Sequence, residues 1–234
     1  MYKIILLNLL FSSLGLYSQI EMTIENLGYT SGEKFLQVTL LNKSSVSSYV
    51  FPVDTVGFKT YFIENSCTEF DFLRGYPDLG LIPMVEGNNS FVESKLGDKG
   101  TLISRKNIYI RSEKKYKKEQ EKAIKSWKVL NHFYDKDDNW IKINYYIYKH
   151  LVTLKPQEKF SYRTKINLNK INEQSDLYTY YYYPLEKELK YQFFLKICVD
   201  KFIYEYLSEK QKQCFRDFIF YTGELQSNSI GLID

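Results

Sequence analysis

A chain of 234 residues has room for one large domain or two small ones, and its 32 Lys and Arg against 28 Asp and Glu leave a net charge of only +4. That balance is too small to argue for a nucleic-acid partner. Aromatic residues make up 17% of the chain and 22 of them are Tyr, a strand-favouring side chain that suits a β-sandwich better than a helical bundle.

Met1, Tyr2 and Lys3 form a mildly basic start, and Ile4 to Leu16 is an apolar run broken only by Asn8, Ser12, Ser13 and Gly15. This is an export signal in outline. A membrane-spanning helix needs about 20 apolar residues, and Gln19 and Glu21 end the run too early for that. A cut between Ser18 and Gln19 gives a signal peptide over 1–18 and a mature chain over 19–234, periplasmic or secreted, with no transmembrane segment. No Cys lies near the cut, which argues against a lipid-anchored form. The alternative is a buried N-terminal strand or helix.

Ile20, Met22 and Ile24 alternate with Glu21, Thr23 and Glu25, the period-two pattern of a strand with one buried face. Leu36, Val38 and Leu40 repeat it, Asn42 to Ser45 supplies turn residues, and Val46 to Phe51 extends again. After Pro52 and Gly57, Phe58, Thr60 and Phe62 predict another half-buried strand. From Glu64 to Gly100 the pattern is lost among Gly75, Pro77, Gly80, Pro83, Gly87, Gly97 and Gly100, which predicts long loops with short strands. Ser112 to Leu130 is predicted helical, with Tyr116, Ala123, Ile124, Trp127 and Leu130 on one face.

The C-terminal half returns to strands. Ile141, Ile143, Tyr145 and Ile147 predict one, and Phe160, Tyr162, Thr164, Ile166 and Leu168 alternate cleanly after a turn at Lys155-Pro156-Gln157. Tyr178 to Tyr183 reads as extended, Tyr191 to Val199 as a core strand, and Gly223 to Leu232 as the last strand. Ser208 with Gln211 has the spacing of a capping box ahead of a short helix towards Phe218. The expected organisation is a single β-sandwich over 19–234 with a partly helical insertion at about 64–139, or two small β domains over 19–105 and 135–234.

Two local patterns resemble immunoglobulin-like, fibronectin type III-like sandwiches. Leu151 to Glu158 looks like a strand and turn of that fold, and Leu185 followed by Tyr191 resembles its tyrosine corner, in which the hydroxyl bonds backbone a few residues upstream. The turn lacks the usual Pro-Gly, and no Cys pair with a core Trp has antibody-like spacing. The chain resembles in this respect uncharacterised exported sandwich proteins of Gram-negative bacteria. The resemblance implies a mainly β, immunoglobulin-like antiparallel sandwich with a short helix near the C-terminus, and says almost nothing about function.

The chain has no Gly-x-Ser-x-Gly, His-Glu-x-x-His, phosphate-binding glycine loop or Cys-x-x-Cys, so no cofactor and no reaction is signalled. His132 and His150 are its two histidines, and any His-dependent site must use one of them. Asp135, Asp137 and Asp138 superficially resemble the start of a calcium loop, but Trp140 stands where an EF-hand needs Gly and Tyr146 where it needs Glu; a solvated turn fits better.

Arg111 to Lys128 carries eight basic and three acidic residues, including Lys114, Lys115, Lys117, Lys118 and Lys122, so the positive charge of the chain collects here. Such a stretch suits contact with an anionic partner, or a solvated helix face with i,i+4 pairs. Tyr178, Tyr180 and Tyr182 share one face of a strand and are candidates for ligand binding by ring stacking, the other face being core. Cys67, Cys198 and Cys214 allow one disulfide, of which Cys198 with Cys214 closes the shortest loop; three buried thiols are the alternative. The functional expectation is a non-enzymatic exported binding protein with a protein or glycan partner. An envelope hydrolase around a histidine, or a protease inhibitor presenting Asp71 to Pro83, are the alternatives.

Overall fold

The structure is a computed structural model that describes residues 19–30, 32–61, 72–73, 76–77, 79–98, 103–174 and 179–232; the expected signal segment, 1–18, lies outside the described residues. The strands of the first half are β1 (Ile20–Thr30), β2 (Glu33–Asn42), β3 (Tyr49–Pro52), β4 (Asp54–Phe58), β5 (Phe72–Leu73), β6 (Tyr76–Pro77), β7 (Gly80–Gly87), β8 (Ser90–Phe91) and β9 (Lys95–Asp98). Two helices follow, α1 (Ile103–Leu130) and α2 (Asp138–Lys149). The second half holds β10 (Leu151–Leu154), β11 (Lys159–Ile166), β12 (Ile171–Gln174), β13 (Thr179–Tyr182), β14 (Tyr191–Val199), a 3-10 turn (Lys201–Tyr206), α3 (Glu209–Cys214), β15 (Ile219–Phe220), β16 (Gly223–Gln226) and β17 (Ile230–Gly231).

Alternation builds the first sheet. In β1 and β2 the side chains of Ile20, Met22, Ile24, Leu36, Val38 and Leu40 are buried on one face, and β2 pairs antiparallel with β1 on one side and β11 on the other. The larger sheet runs β16-β14-β7-β4, with β17 added to β14 and β8 to β7. Smaller sheets run β10-β3-β15 and β12-β13-β9. Ile20, Val38, Phe51, Leu81, Ile147, Leu154, Phe193 and Leu225 belong to one core, so strands from both halves of the chain bury their apolar faces together. Each large side chain so buried contributes about 1.5–3 kcal/mol. The fold is mainly β with several antiparallel sheets, consistent with a β-sandwich. Two pairings, β3 with β15 and β4 with β7, are parallel. Among the described residues no helix is long and apolar enough to cross a membrane.

The Tyr191 hydroxyl accepts the Glu186 N–H at 2.9 Å, a bond to backbone a few residues upstream. The ring lies so close over Gly87 that a Cβ there would sit 2.5 Å from it, which explains glycine at that position.

Three expected elements differ. Ile141 to Ile147 is helical: Asp137 caps α2 by accepting the Trp140 N–H, and Ile143 and Ile147, one turn apart, are buried together with Ile141 and Asn144. At about 100° per residue the buried Ile141, Ile143, Asn144 and Ile147 share an arc of roughly 160°, one face of a helix, with Tyr145 outside it, and the Asp137 cap starts that helix. Gly80 to Gly87, within the stretch expected as long loops with short strands, is the eight-residue strand β7, with every residue but Glu86 buried. A strand covered on both faces loses the alternation that reveals it. Pro83 is tolerated because β4 pairs with β7 only as far as Leu81, so Pro83 has a pairing partner, Leu195, on one side alone. The strand expected from Phe58 to Phe62 lies earlier, at β4, and Lys59 to Tyr61 are outside any strand.

Candidate functional site

Tyr180 and Tyr182 project from one face of β13, and β9 pairs beside it with Gly97 opposite Tyr180 and Lys95 opposite Tyr182. Side chains directly opposite in an antiparallel pair share a face. The phenol end of the Tyr180 ring sits against Gly97, where a Cβ would come within 2.7 Å of its Cζ, and the ring centroids of Tyr180 and Tyr182 are 6.0 Å apart at 47°. Both rings are half-buried, while Tyr183 is in the core and Tyr181, on the other face, packs against it. The structure therefore brings together two of the three tyrosines; Tyr178 lies outside the described residues. Gly97 had no signal in the sequence, because its role depends on the register between β9 and β13.

Helix α1 is 28 residues long and leaves Lys114, Lys115, Lys117, Lys118 and Lys122 exposed. Its C-terminal end is tied to the body by Trp127, whose Nε1–H donates to Asn144 Oδ1 at 2.8 Å and whose ring meets Tyr145 and Tyr148 at 5.7 and 5.2 Å.

A polar cluster that sequence reasoning missed joins β4, α2 and β11. Asp54 Oδ1 accepts the N–H groups of Val56 and Gly57 at 2.9 and 3.1 Å and lies 3.7 Å from His150 Nε2, while Oδ2 accepts the Tyr146 hydroxyl at 2.9 Å. His150 Nδ1 is 2.7 Å from the Tyr146 carbonyl oxygen, and the two rings pack with centroids 4.3 Å apart. Burial works to raise the Asp54 pKa, but the two backbone donors, His150 and Tyr146 outweigh it and hold the carboxyl below its ordinary value. The Tyr162 hydroxyl is buried without a hydrogen bond, and burial together with the Asp54 charge pushes its pKa upward. Asp54 lies 92 residues from Tyr146 along the chain, and the packing of α2 on β4 brings it to Tyr146 and His150. Because His150 forms the C-cap of α2 rather than part of a strand, its ring is held by the helix beneath it.

His132 is exposed at a turn with φ of 57°, its ring 6.1 Å from that of Tyr134. The acidic run ahead of α2 does local work: Asp137 is the helix cap, Asp138 pairs with Lys128 at 3.0 Å and Asp135 with Lys136 at 3.4 Å. No group of three or more His, Cys, Asp or Glu suited to a metal ion occurs among the described residues. Cys198 and Cys214 do not pair with each other. Cys198 is disulfide-bonded, and Cys214 is a free, exposed thiol at the end of α3, its Sγ 3.3 Å from the Lys210 carbonyl oxygen. Short sequence separation favoured that pair, but Cys198 is held within β14 while Cys214 lies on the surface. Cys67 lies outside the described residues. Of the segment expected as a presented loop, Gly80 to Pro83 are buried in β7.

Comparison with known protein families, with curated proteins and with solved structures finds no match for this chain.

Proposed function

We propose that this chain is an exported, non-enzymatic binding protein of the cell envelope or extracellular space, built on an immunoglobulin-like sandwich, and that it holds a glycan or protein surface against Tyr180 and Tyr182. The observation that carries the reading is the phenol end of the Tyr180 ring seated against Gly97, with Tyr182 beside it. Two half-exposed rings on a sheet offer apolar area for stacking at little cost in side-chain entropy, with the Tyr hydroxyls as polar contacts. Export is supported by the apolar run over Ile4 to Leu16 and by the disulfide at Cys198, since disulfides persist in oxidising compartments. The immunoglobulin-like kinship is supported by the Tyr191 contact.

The test is retention of the purified mature chain on immobilised envelope polysaccharides and envelope proteins. The Tyr180→Ala/Tyr182→Ala variant loses at least about tenfold in retention, roughly the worth of one aromatic anchor. Gly97→Ala, which leaves both rings in the chain but displaces one, loses most of the same binding. Undiminished retention by both variants would overturn the assignment. Mass spectrometry of periplasmic and secreted fractions tests export, the expected N-terminus being Gln19.

A second reading, an envelope hydrolase, is favoured by one contact, that of His150 with Asp54. A panel of ester, peptide and glycoside substrates discriminates the two: turnover that His150→Ala abolishes supports the hydrolase.

A further inference from the structure

The lysines of α1 are not scattered around the helix. At about 100° per residue, Lys114, Lys115, Lys117, Lys118, Lys122, Lys125 and Lys128 all project within an arc of roughly 160°. The opposite side holds Gln120, Ala123 and Trp127, all half-buried, and so faces the body of the protein. Three acidic groups interrupt the stripe, one of them Asp138, 3.0 Å from Lys128 at its end. Glu121 lies within the arc, and Glu119 at its border comes 3.9 Å from Lys115. Along the axis the stripe extends about 21 Å. At its C-terminal end Val129 lies on the same arc and is 59% exposed, Leu130 beside it is 72% exposed, and both line an open groove with Lys125 and Ser126.

We propose that this face of α1 is a membrane-contact surface that lies on anionic lipid headgroups, independently of the aromatic site on β13. Three features select a lipid surface over a linear polyanion. The cationic face is broad and convex, matching a plane rather than a threaded chain. Its cations from residue 114 onward are all lysines, whose compact ammonium groups on flexible stems give diffuse attraction to many phosphates without the fixed fork geometry of arginine. Its apolar Val129 stands at one end, where it reaches the headgroup boundary while the rest of the helix stays in water. The attraction is electrostatic, so it decays over a Debye length and is reversed by salt.

Co-sedimentation of the mature chain with vesicles tests this. Vesicles of phosphatidylcholine mixed with phosphatidylglycerol bind at least about tenfold more protein at low salt than vesicles of phosphatidylcholine alone, and high salt removes the difference. Replacing four lysines together (Lys114→Gln, Lys118→Gln, Lys122→Gln, Lys125→Gln) lowers anionic-vesicle binding by at least about tenfold with the circular dichroism spectrum unchanged, because these side chains are exposed. Tyr180→Ala/Tyr182→Ala leaves vesicle binding as it was. Equal binding to both vesicle types, or unchanged binding by the four-lysine variant, overturns the proposal. So does tight binding of soluble dextran sulfate by a chain that ignores both vesicles, which would assign the stripe to a linear polyanion.

Discussion

Asn144 is wholly buried, and each of its hydrogen-bonding positions is used. Oδ1 accepts Trp127 Nε1–H at 2.8 Å and Gln211 Nε2–H at 3.1 Å; Nδ2 donates to the Tyr206 carbonyl and to Gln211 Oε1 at 2.7 Å. One amide thus ties α1, α2, the 3-10 turn and α3 together. Asn144→Ala strands several buried partners and costs about 2–3 kcal/mol, read as a lower urea midpoint with a shift in Trp fluorescence as Trp127 loosens. Asp54 is the residue-scale source of pH dependence. Its folded-state pKa lies below the ordinary 3.8, so the stability it adds is fully present above that value and is lost as pH falls through the lower folded value. Urea titrations of the parent and Asp54→Asn therefore show a gap that closes in acid below about pH 3.8; a gap independent of pH would contradict the assignment. Asp54 takes its two backbone donors from Val56 and Gly57 nearby, but its Tyr146 and His150 partners, like the Tyr206 and Gln211 partners of Asn144, lie far along the chain, where no local signature shows them.

Elements differ in how openly the sequence declares them. The strand β11 is visible because one of its faces is wet, and α3 because Ser208 and Gln211 form a full capping box, the Ser208 Oγ accepting the Gln211 N–H at 3.2 Å and Gln211 Oε1 accepting the Ser208 N–H at 2.8 Å. Ser208→Ala removes half of that box and costs about 1 kcal/mol, measurable as a lower thermal midpoint; Ser208→Asp retains a capping oxygen and restores most of it. By contrast, β7 hides behind Pro83 and double-sided burial, and α2 behind apolar residues at every second position, which read as a strand while the polar Asn144 completes the buried helical face. The tyrosines of β13 were legible as a face, but the platform they form was not, because Gly97 enters only through strand pairing.

Over the whole molecule, strands from the two ends of the chain share one core, and Asn228 of the C-terminal segment hydrogen-bonds backbone of β1, donating to the Ile24 carbonyl at 3.1 Å and accepting the Ile24 N–H at 2.7 Å. The cysteines are divided by the same packing. Native, unreduced protein treated with iodoacetamide takes up one equivalent, at Cys214, and Cys214→Ser takes up none, as read by intact mass; uptake of two or more would contradict the disulfide at Cys198. Side-chain periodicity, composition and caps determined by themselves a mainly β chain, the alternating strands, the capped short helix and the cationic stretch, since each depends on neighbours within a few residues. Which strands meet, that Cys214 stays free, that Asp54 meets His150 and Tyr146, and that the Tyr180 ring finds Gly97 were decided by tertiary packing alone. Those contacts join residues whose separation along the chain bears no relation to their distance in space.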